Sequence, residues 1–370
     1  MGTFGRLVAV LGGAAVGVWV LLAAVRTVVL PRGEPVRLTR WVFVGMRSLF
    51  DLWGKRAKTY EDLDRSLAMY APMSLVALPW TWVTLVVAGF TGINWGLGVD
   101  PPREAFYLSG SSLFTLGFDA PPDLPTHVAS FVEAIFGLGL IALLISYLPS
   151  IYAAFQRREL EVTRLTTRAG SPPSAITMIL RHHALARLDA LDEIWDEWEI
   201  WFSDVEETHT SQPSLVFFRS ITHDRSWITS AGAVLDAAAL RSSVLNLPQN
   251  ARAQLCIRSG YLCLRRICDY FDIPYDPDPQ PDDPISIDRS EFDAAYEELA
   301  GFGVPVRPQR DQCWSDFKGW RVNYDTALLS IAGLTAAPYA PWSSDRSLRY
   351  RRPRLAWIRR AGVGKPGAGH

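Results

Sequence analysis

The stretch AFYLSGSSLFTLGFD, residues 105–119, decides how the rest of the chain is read. It lies between two long apolar segments, yet it is too short and too polar to cross a bilayer itself. Its first part has amphipathic, helix-permissive character. Its end, Thr115-Leu116-Gly117-Phe118-Asp119, suits an extended loop better than a helix. Backbone that leaves helical geometry at membrane depth has carbonyls without intrahelical partners. It is tolerated only where it is buried in protein or lines a water-filled cavity. A re-entrant helix followed by a carbonyl-lined loop meets that condition. The competing reading is a short outer loop in which Gly117 merely supplies a turn, which leaves the helix-like run before Thr115 without a role.

Working outward, three apolar segments frame this stretch. Residues 7–25 carry no charge, and at about 1.5 Å per residue such a run crosses roughly 30 Å of hydrocarbon. A cleaved signal peptide would have an apolar run of only about 7–15 residues behind a more basic start than the single Arg6, so a retained span is expected. The next segment, residues 31–68, carries Arg32, Arg37, Arg40, Arg47, Lys55, Arg56, Lys58 and Arg65. Such basic density beside a span marks the cytoplasmic side. Within it, residues 41–53 mix bulky apolar residues with Arg47 and Asp51. This reads either as an interfacial helix on the inner leaflet or as a helix packed on the C-terminal part of the chain.

Residues 69–92 form the second apolar segment, with Pro72 and Pro79 in its first half. Trp80, Trp82 and Trp95 are placed at membrane edges, where amphipathic rings favour the headgroup zone. Residues 93–103 (INWGLGVDPPR) make a Gly/Pro turn region, and residues 120–126 (APPDLPT) a proline-rich return. Residues 131–155 are the third apolar segment. Arg157, Arg158, Arg164 and Arg168 follow it, again marking the inside. The chain therefore reads as a multi-pass cell-membrane protein with three crossings. Its amino terminus is outside, the 105–119 stretch dips from the outside, and the C-terminal part is cytoplasmic.

At this point residues 115–119 resemble the TVGYG selectivity filter of the bacterial potassium-channel pore family. In that family, carbonyl rings from four subunits replace the ion's hydration shell. Thr115 matches the filter threonine, Leu116 the valine, Gly117 the first glycine and Phe118 the tyrosine. Asp119 stands where the second glycine belongs, or, if that glycine is deleted, matches the aspartate that often follows it. Phe114 replaces the threonine that precedes the filter. The resemblance covers about residues 71–155. It implies a homotetramer whose filter is built by Thr115, Leu116, Gly117, Phe118 and Asp119, supported by Ser111 and Ser112 on the pore helix. Glu133 would hydrogen-bond the filter-supporting loop. Gly137 and Gly139 fall where such channels carry a gating hinge, and the other reading of these glycines is close helix packing. Tyr147 and Pro149 lie where inner helices of such pores converge, so Tyr147 would narrow the inner mouth.

The chain has 370 residues, a formal net charge of −1 and 49% hydrophobic residues, concentrated before Phe155. A near-neutral balance gives no reason to expect nucleic acid as a partner. Beyond Leu160 the character becomes helical and water-soluble. Residues 174–205 read as one long helix, with Leu185, Leu188, Leu191, Trp195, Trp198 and Phe202 as its buried stripe. Further helices are expected over 214–220, 226–245, 249–271, 290–301 and 312–335, around a proline/aspartate loop at 275–285 (YDPDPQPDDPI). No strand followed by GxGxxG occurs after Phe155, so a Rossmann-like regulatory domain is not supported. Nor are the strands of a cyclic-nucleotide-binding barrel. P-loop, HExxH and GxSxG motifs are also missing, so no enzymatic activity is expected.

Cys256, Cys263, Cys268 and Cys313 form no CxxC pair and read as reduced core thiols. Asp189, Asp192, Glu193, Asp196, Glu197 and Glu199 read as a solvated helix face rather than a Ca²⁺ site, since Ca²⁺ wants six to eight oxygens from a flexible loop. Asp276, Asp278, Asp282 and Asp283 suit Ca²⁺ somewhat better, but their prolines read as a stiff linker. His182, His183, His209 and His223 would make the domain pH-sensitive if they titrate; no metal-ligand spacing accompanies them.

The expected organisation is an all-α membrane protein in five parts. Residues 1–30 form an extra N-terminal span, 31–68 a basic loop or interfacial helix, and 69–156 a pore domain. Residues 157–345 form a helical cytosolic regulatory domain whose ligand is unknown, and 346–370 a basic tail. Anionic lipid would be attracted to the basic loop and tail. The implied function is passive permeation of K⁺ or another monovalent cation, with no cofactor or resident metal. Asp119 leaves selectivity among monovalent cations open. The alternative is a non-conducting membrane sensor or scaffold that keeps a degenerate channel-like unit for oligomerisation.

Overall fold

The computed structural model describes residues 2–29, 36–54 and 56–347. Among them the fold is all-helical, with only an isolated bridge between Leu245 and Val306. Three helices are long and apolar enough to cross a membrane: α1 (Thr3–Val28), α4 (Tyr70–Leu97) and α6 (Leu124–Ala169). Between them lie α2 (Arg37–Gly54), α3 (Tyr60–Ala68) and the short α5 (Pro102–Leu113). Seven further helices follow: α7 (Ala175–Ala184), α8 (Leu191–Ser211), α9 (Trp227–Ser243), α10 (Ala251–Tyr270), α11 (Arg289–Gly301), α12 (Arg310–Arg321) and α13 (Asp325–Thr335).

α1 packs along α4 through small residues. A Cβ on Gly13 would overlap the Gly89 carbonyl, and one on Gly96 would reach the Arg6 carbonyl. Without a hydrophobic drive between helices in lipid, such close backbone approach supplies the packing energy. Arg6 pairs with Asp100, just past α4, at 2.8 Å, so α1 and α4 run antiparallel. The first helix is thus part of the same bundle. Trp82, expected at a membrane edge, lies instead in the bundle core with Val20, Leu78 and Val86, because it faces α1 and α6. Trp80 is exposed, and the Trp95 indole donates to Asp100 at 2.9 Å.

α6 starts well before the apolar run that predicted it. Asp123 caps it in a capping box with Thr126. It also continues past the apolar run to Ala169, where Gly170 at φ 86 ends it. The expected boundary at 156/157 therefore falls inside one continuous helix, which runs from the bundle into the C-terminal helical unit.

That unit is organised around α9. An alanine-rich helix that is apolar on every side must be central, and α9 is buried along almost its whole length. Around it pack Trp195, Trp198 and Phe202 of α8, Cys256, Cys263 and Cys268 of α10, and Phe292 and Phe317. All four cysteines are free and buried. Asp236 of α9 is bound by Arg321 and, at 2.8 Å, by the Tyr324 hydroxyl; Arg321 also binds Asp325 at 2.7 Å.

Three helix expectations are corrected. The single helix over 174–205 is two, because the chain turns left-handed at Ala186 (φ 53). The amides of Leu185, Ala186 and Arg187 close α7 onto Arg181, His183 and His182, leaving Leu185, expected in the core, 72% exposed. The helix over 312–335 is likewise two, separated by a turn at 322–324 that lets Arg321 and Tyr324 both reach Asp236. Residues 214–220 form a short 3₁₀ turn (Pro213–Phe217) followed by extended chain.

α2 and α3 dock on the helical unit. The Arg47 guanidinium lies over Tyr70 and Phe217 and donates to the Leu334 carbonyl at 3.4 Å. Arg219 binds Asp64, the Tyr60 hydroxyl and the carbonyls of Thr335 and Ala336. Trp41, Leu49, Leu52 and Trp53 of α2 stay exposed, so the helix has one docked face and one apolar outer face. The acidic run on α8 is partly paired: Glu197 binds Arg164 at 2.6 Å and Arg168 at 2.9 Å, and Asp196 binds Arg252 at 2.9 Å. Of the expected basic tail, Arg346 belongs to the folded unit through Glu291 at 2.6 Å. Residues 348–370 lie outside the described residues, as do Arg32 and Lys55 of the basic loop.

Candidate pore site

α5 opens with Pro102 at its first position, where the missing N–H costs nothing. Its 12 residues span only about 18 Å, short of a bilayer's roughly 30 Å. It is seated between α4 and α6, with Ala105, Leu108, Ser109, Ser111 and Leu113 buried. Ser109 is a joint between all three helices. Its hydroxyl lies 3.2 Å from the Val87 carbonyl of α4 and hydrogen-bonds the Glu133 carboxylate of α6. Glu133 is fully buried, and its second oxygen has no partner among the described residues.

Gly137 of α6 faces the end of α5. A Cβ there would overlap the Leu113 carbonyl, whereas one on Gly139 would meet open space. α6 remains helical through both. The two glycines expected to act as one hinge are therefore unlike in their surroundings: Gly137 is a close-packing seat and Gly139 is exposed.

After Leu113 the backbone leaves the helix and folds back onto it. Thr115 (φ 54) and Gly117 (φ 68) are both in the left-handed region, which only glycine enters without cost. Ser111 collects the amides of this turn. Its carbonyl accepts from Leu116 N–H at 2.8 Å and from Gly117 N–H at 3.5 Å, and its hydroxyl accepts from Asp119 N–H at 3.1 Å. Thr115 N–H goes to the Ser112 carbonyl at 3.1 Å. The amides of Thr115, Leu116, Gly117 and Asp119 are thus turned toward α5. Its carbonyls, from Thr115 to Phe118, receive no hydrogen bond from any described residue. Leu116 and Phe118 are 63% and 66% exposed.

The rim of the site is acidic. Asp119 makes no ion pair with a described residue. The Thr126 hydroxyl and amide hold the Asp123 carboxyl below the usual carboxylate range, so it stays charged. Midway along α6, Tyr147 is half-buried against the cluster of Ile151, Ala154, Leu215 and Phe218.

Two residues escaped the sequence reading. The Ser109 hydroxyl ties α5 to both flanking helices; of the two serines expected to support the loop, Ser111 uses its hydroxyl and carbonyl and Ser112 its carbonyl. The signal for Ser109 was a lone hydroxyl on the stripe Ala105–Leu108–Leu113 that faces the flanking helices. Arg158, read as one of a basic cluster at the inner face, is fully buried. It donates to the carbonyls of Leu215 and Phe218, both at 2.7 Å, to Glu159, and to His209 Nε2 at 3.0 Å. Its guanidinium also lies over Phe155 and Trp227. It fastens α6 to the helical unit, and nothing in local sequence distinguishes it from the exposed Arg157.

No protein-family model matches this chain, and neither a curated protein nor a solved structure does.

Proposed function

We propose that the chain is one subunit of a homotetrameric, potassium-channel-like cation channel in a cell membrane. One observation carries the reading. The amides of Leu116, Gly117 and Asp119 are taken up by Ser111, while the carbonyls of Thr115 to Phe118 accept no hydrogen bond from a described residue. Carbonyls of Thr115, Leu116, Gly117 and Phe118 would then replace water around a monovalent cation once four copies surround an axis. Asp119 and Asp123 would give the mouth a negative ring that attracts cations, which favours cation selectivity over a strict choice of K⁺. The exposed apolar residues Phe106 on α5 and Phe131, Ile135 and Leu138 on α6 suit contact with lipid or neighbouring copies. The helical unit, held by Arg158, would lie in the cytoplasm and pass a signal to α6. No step calls for a cofactor or a reaction, and the protein is read as a non-enzyme.

The test is cation flux from liposomes holding purified protein, in K⁺ and then Na⁺ gradients, beside Gly117→Ala. A Cβ at Gly117 meets no neighbour, so the substitution acts on the backbone, where a left-handed residue costs about 1–2 kcal/mol. Flux in K⁺ alone, lost in the variant, is the expected result for a selective pore; flux in both gradients, also lost, marks a non-selective one. A folded tetramer that stays silent even after the helical unit is removed would favour a membrane sensor or scaffold instead.

A further inference from the structure

A recess opens where the start of α9 meets the end of α13 and the extended chain at 218–220. Phe218, Arg219, Ser220, Arg225, Ser226 and Trp227 line it; its cavity volume is small, about 20 Å³, and it is partly open to solvent. We infer that this recess binds a phosphoryl group, carried either by a soluble metabolite or by a lipid headgroup.

Four features point the same way. Ser226 caps α9 in an extended conformation, but its side chain makes no capping bond. The amides of Trp227, Ile228 and Thr229 find no acceptor among the described residues. Such a helix start presents free N–H groups and the positive end of the dipole. Ser220 lines the recess, is only 8% exposed, and its buried hydroxyl has no partner among the described residues. A buried hydroxyl without a hydrogen bond is costly and calls for one.

Arg225 is the third donor. Its Nε is buried and unpartnered, and its one hydrogen bond is a long 3.5 Å contact to the Thr163 hydroxyl of α6. No described carboxylate pairs with it. Arg219 is neutralised by Asp64 and saturated by Tyr60 and two carbonyls. Asp224 accepts from the Ser171 hydroxyl and makes no ion pair with Arg225 within contact distance, though its charge lies in the same neighbourhood.

What remains in the recess is therefore one guanidinium, hydroxyls and helix-start amides. All can donate. No carboxylate, His or Cys lines the recess to favour a metal cation. A phosphoryl group offers three acceptor oxygens and the opposite charge, and the open side of the recess lets it sit at the mouth against these donors. Since Thr163 is on α6 and Thr335 at the end of α13, an occupant would also tie α6 to the helical unit. That regulatory consequence rests on the pore reading; the binding itself does not.

The experiment uses the full chain in detergent and reads binding rather than flux. Thermal unfolding is followed against inorganic phosphate, against chloride at matched ionic strength, and against a short-chain phosphatidylinositol phosphate in mixed micelles. The same series is run on Arg225→Gln and Ser220→Ala. Stabilisation by phosphate beyond chloride, with affinity about tenfold or more weaker in both variants, supports the site and a soluble source. Stabilisation by the phosphoinositide alone, weakened in the same variants, supports the site and a headgroup source. If phosphate acts no differently from chloride and the lipid has no effect, or if the variants respond like the parent chain, the inference is overturned. Should Arg225→Gln fail to fold, Ser220→Ala, which removes one oxygen atom, carries the comparison. Loss of flux with binding intact would count against the pore reading alone.

Discussion

At the scale of single residues, two of the glycines in the candidate pore do different work. Gly137 lets the Leu113 carbonyl approach α6, and a methyl there has backbone in its way; Gly139 has open space around it. Gly137→Ala is therefore expected to push the end of α5 away from α6, at about 1–3 kcal/mol for an overpacked contact. Gly139→Ala should leave both folding and flux near the parent values. Equal loss of flux in the two variants would restore the view of a shared hinge. Asp119 makes the second prediction. Its amide is held by the Ser111 hydroxyl and its side chain has no cationic partner among the described residues. Asp119→Asn should lower single-channel conductance at low salt and much less at high salt, because screening removes the benefit of a charged mouth. Unchanged conductance at low salt would show that the carboxylate faces away from the ion path.

At the scale of elements, the fold depends on how closely helices approach. The α1–α4 seam runs through Gly13 against Gly89 and Gly96 against Arg6. Gly13→Leu should pry the two helices apart and lower the melting temperature in detergent. Gly12→Leu, one residue along and with nothing within 4 Å of its Cβ position, should not. Comparable melting temperatures for both would mean that α1 is held by lipid or by another copy. The sequence made the existence of α1, α4 and α6 legible, because a long uncharged run has one stable solution in hydrocarbon. Their ends were less legible. α6 begins at a capping box rather than at its first apolar run, and it outlasts the membrane-like segment because polar helix formers continue it to Gly170.

At the scale of the whole molecule, the α6 extension and the helical unit behave as one piece because of Arg158 and its partners. His209 accepts from Arg158 through Nε2 while stacked near Trp227. Burial, and then the Arg158 charge, push its imidazole well below the ordinary histidine range. The folded state therefore keeps His209 neutral while the unfolded chain takes up a proton below about pH 6.5. Stability from this group is present above that pH and is lost as pH falls toward the folded value. The loss is about 1.4 kcal/mol per pH unit for one proton. Melting curves between pH 7.5 and 5 should show this slope in the parent chain and a shallower one in His209→Gln. An identical slope in both would assign the acid sensitivity elsewhere.

Charge-free runs, basic flanks and the residues 105–119 were enough to determine from sequence alone that the chain is helical, has three membrane-length segments and carries a short interrupted helix between the second and third. Those are local properties: hydrophobic length, turn chemistry and glycine spacing act within a few residues. Only the tertiary structure decided that the Ser109 hydroxyl is the partner of Glu133. It also decided that Trp82 belongs to a core and that the expected helix over 174–205 breaks at Ala186, so that α7 packs on α9 while α8 packs along α10. The same holds for Arg158, which is buried although Arg157 beside it is exposed. Each of these depends on which distant backbone carbonyl or side chain lies opposite, and a guanidinium or a hydroxyl takes its role from that partner rather than from its neighbours in the chain.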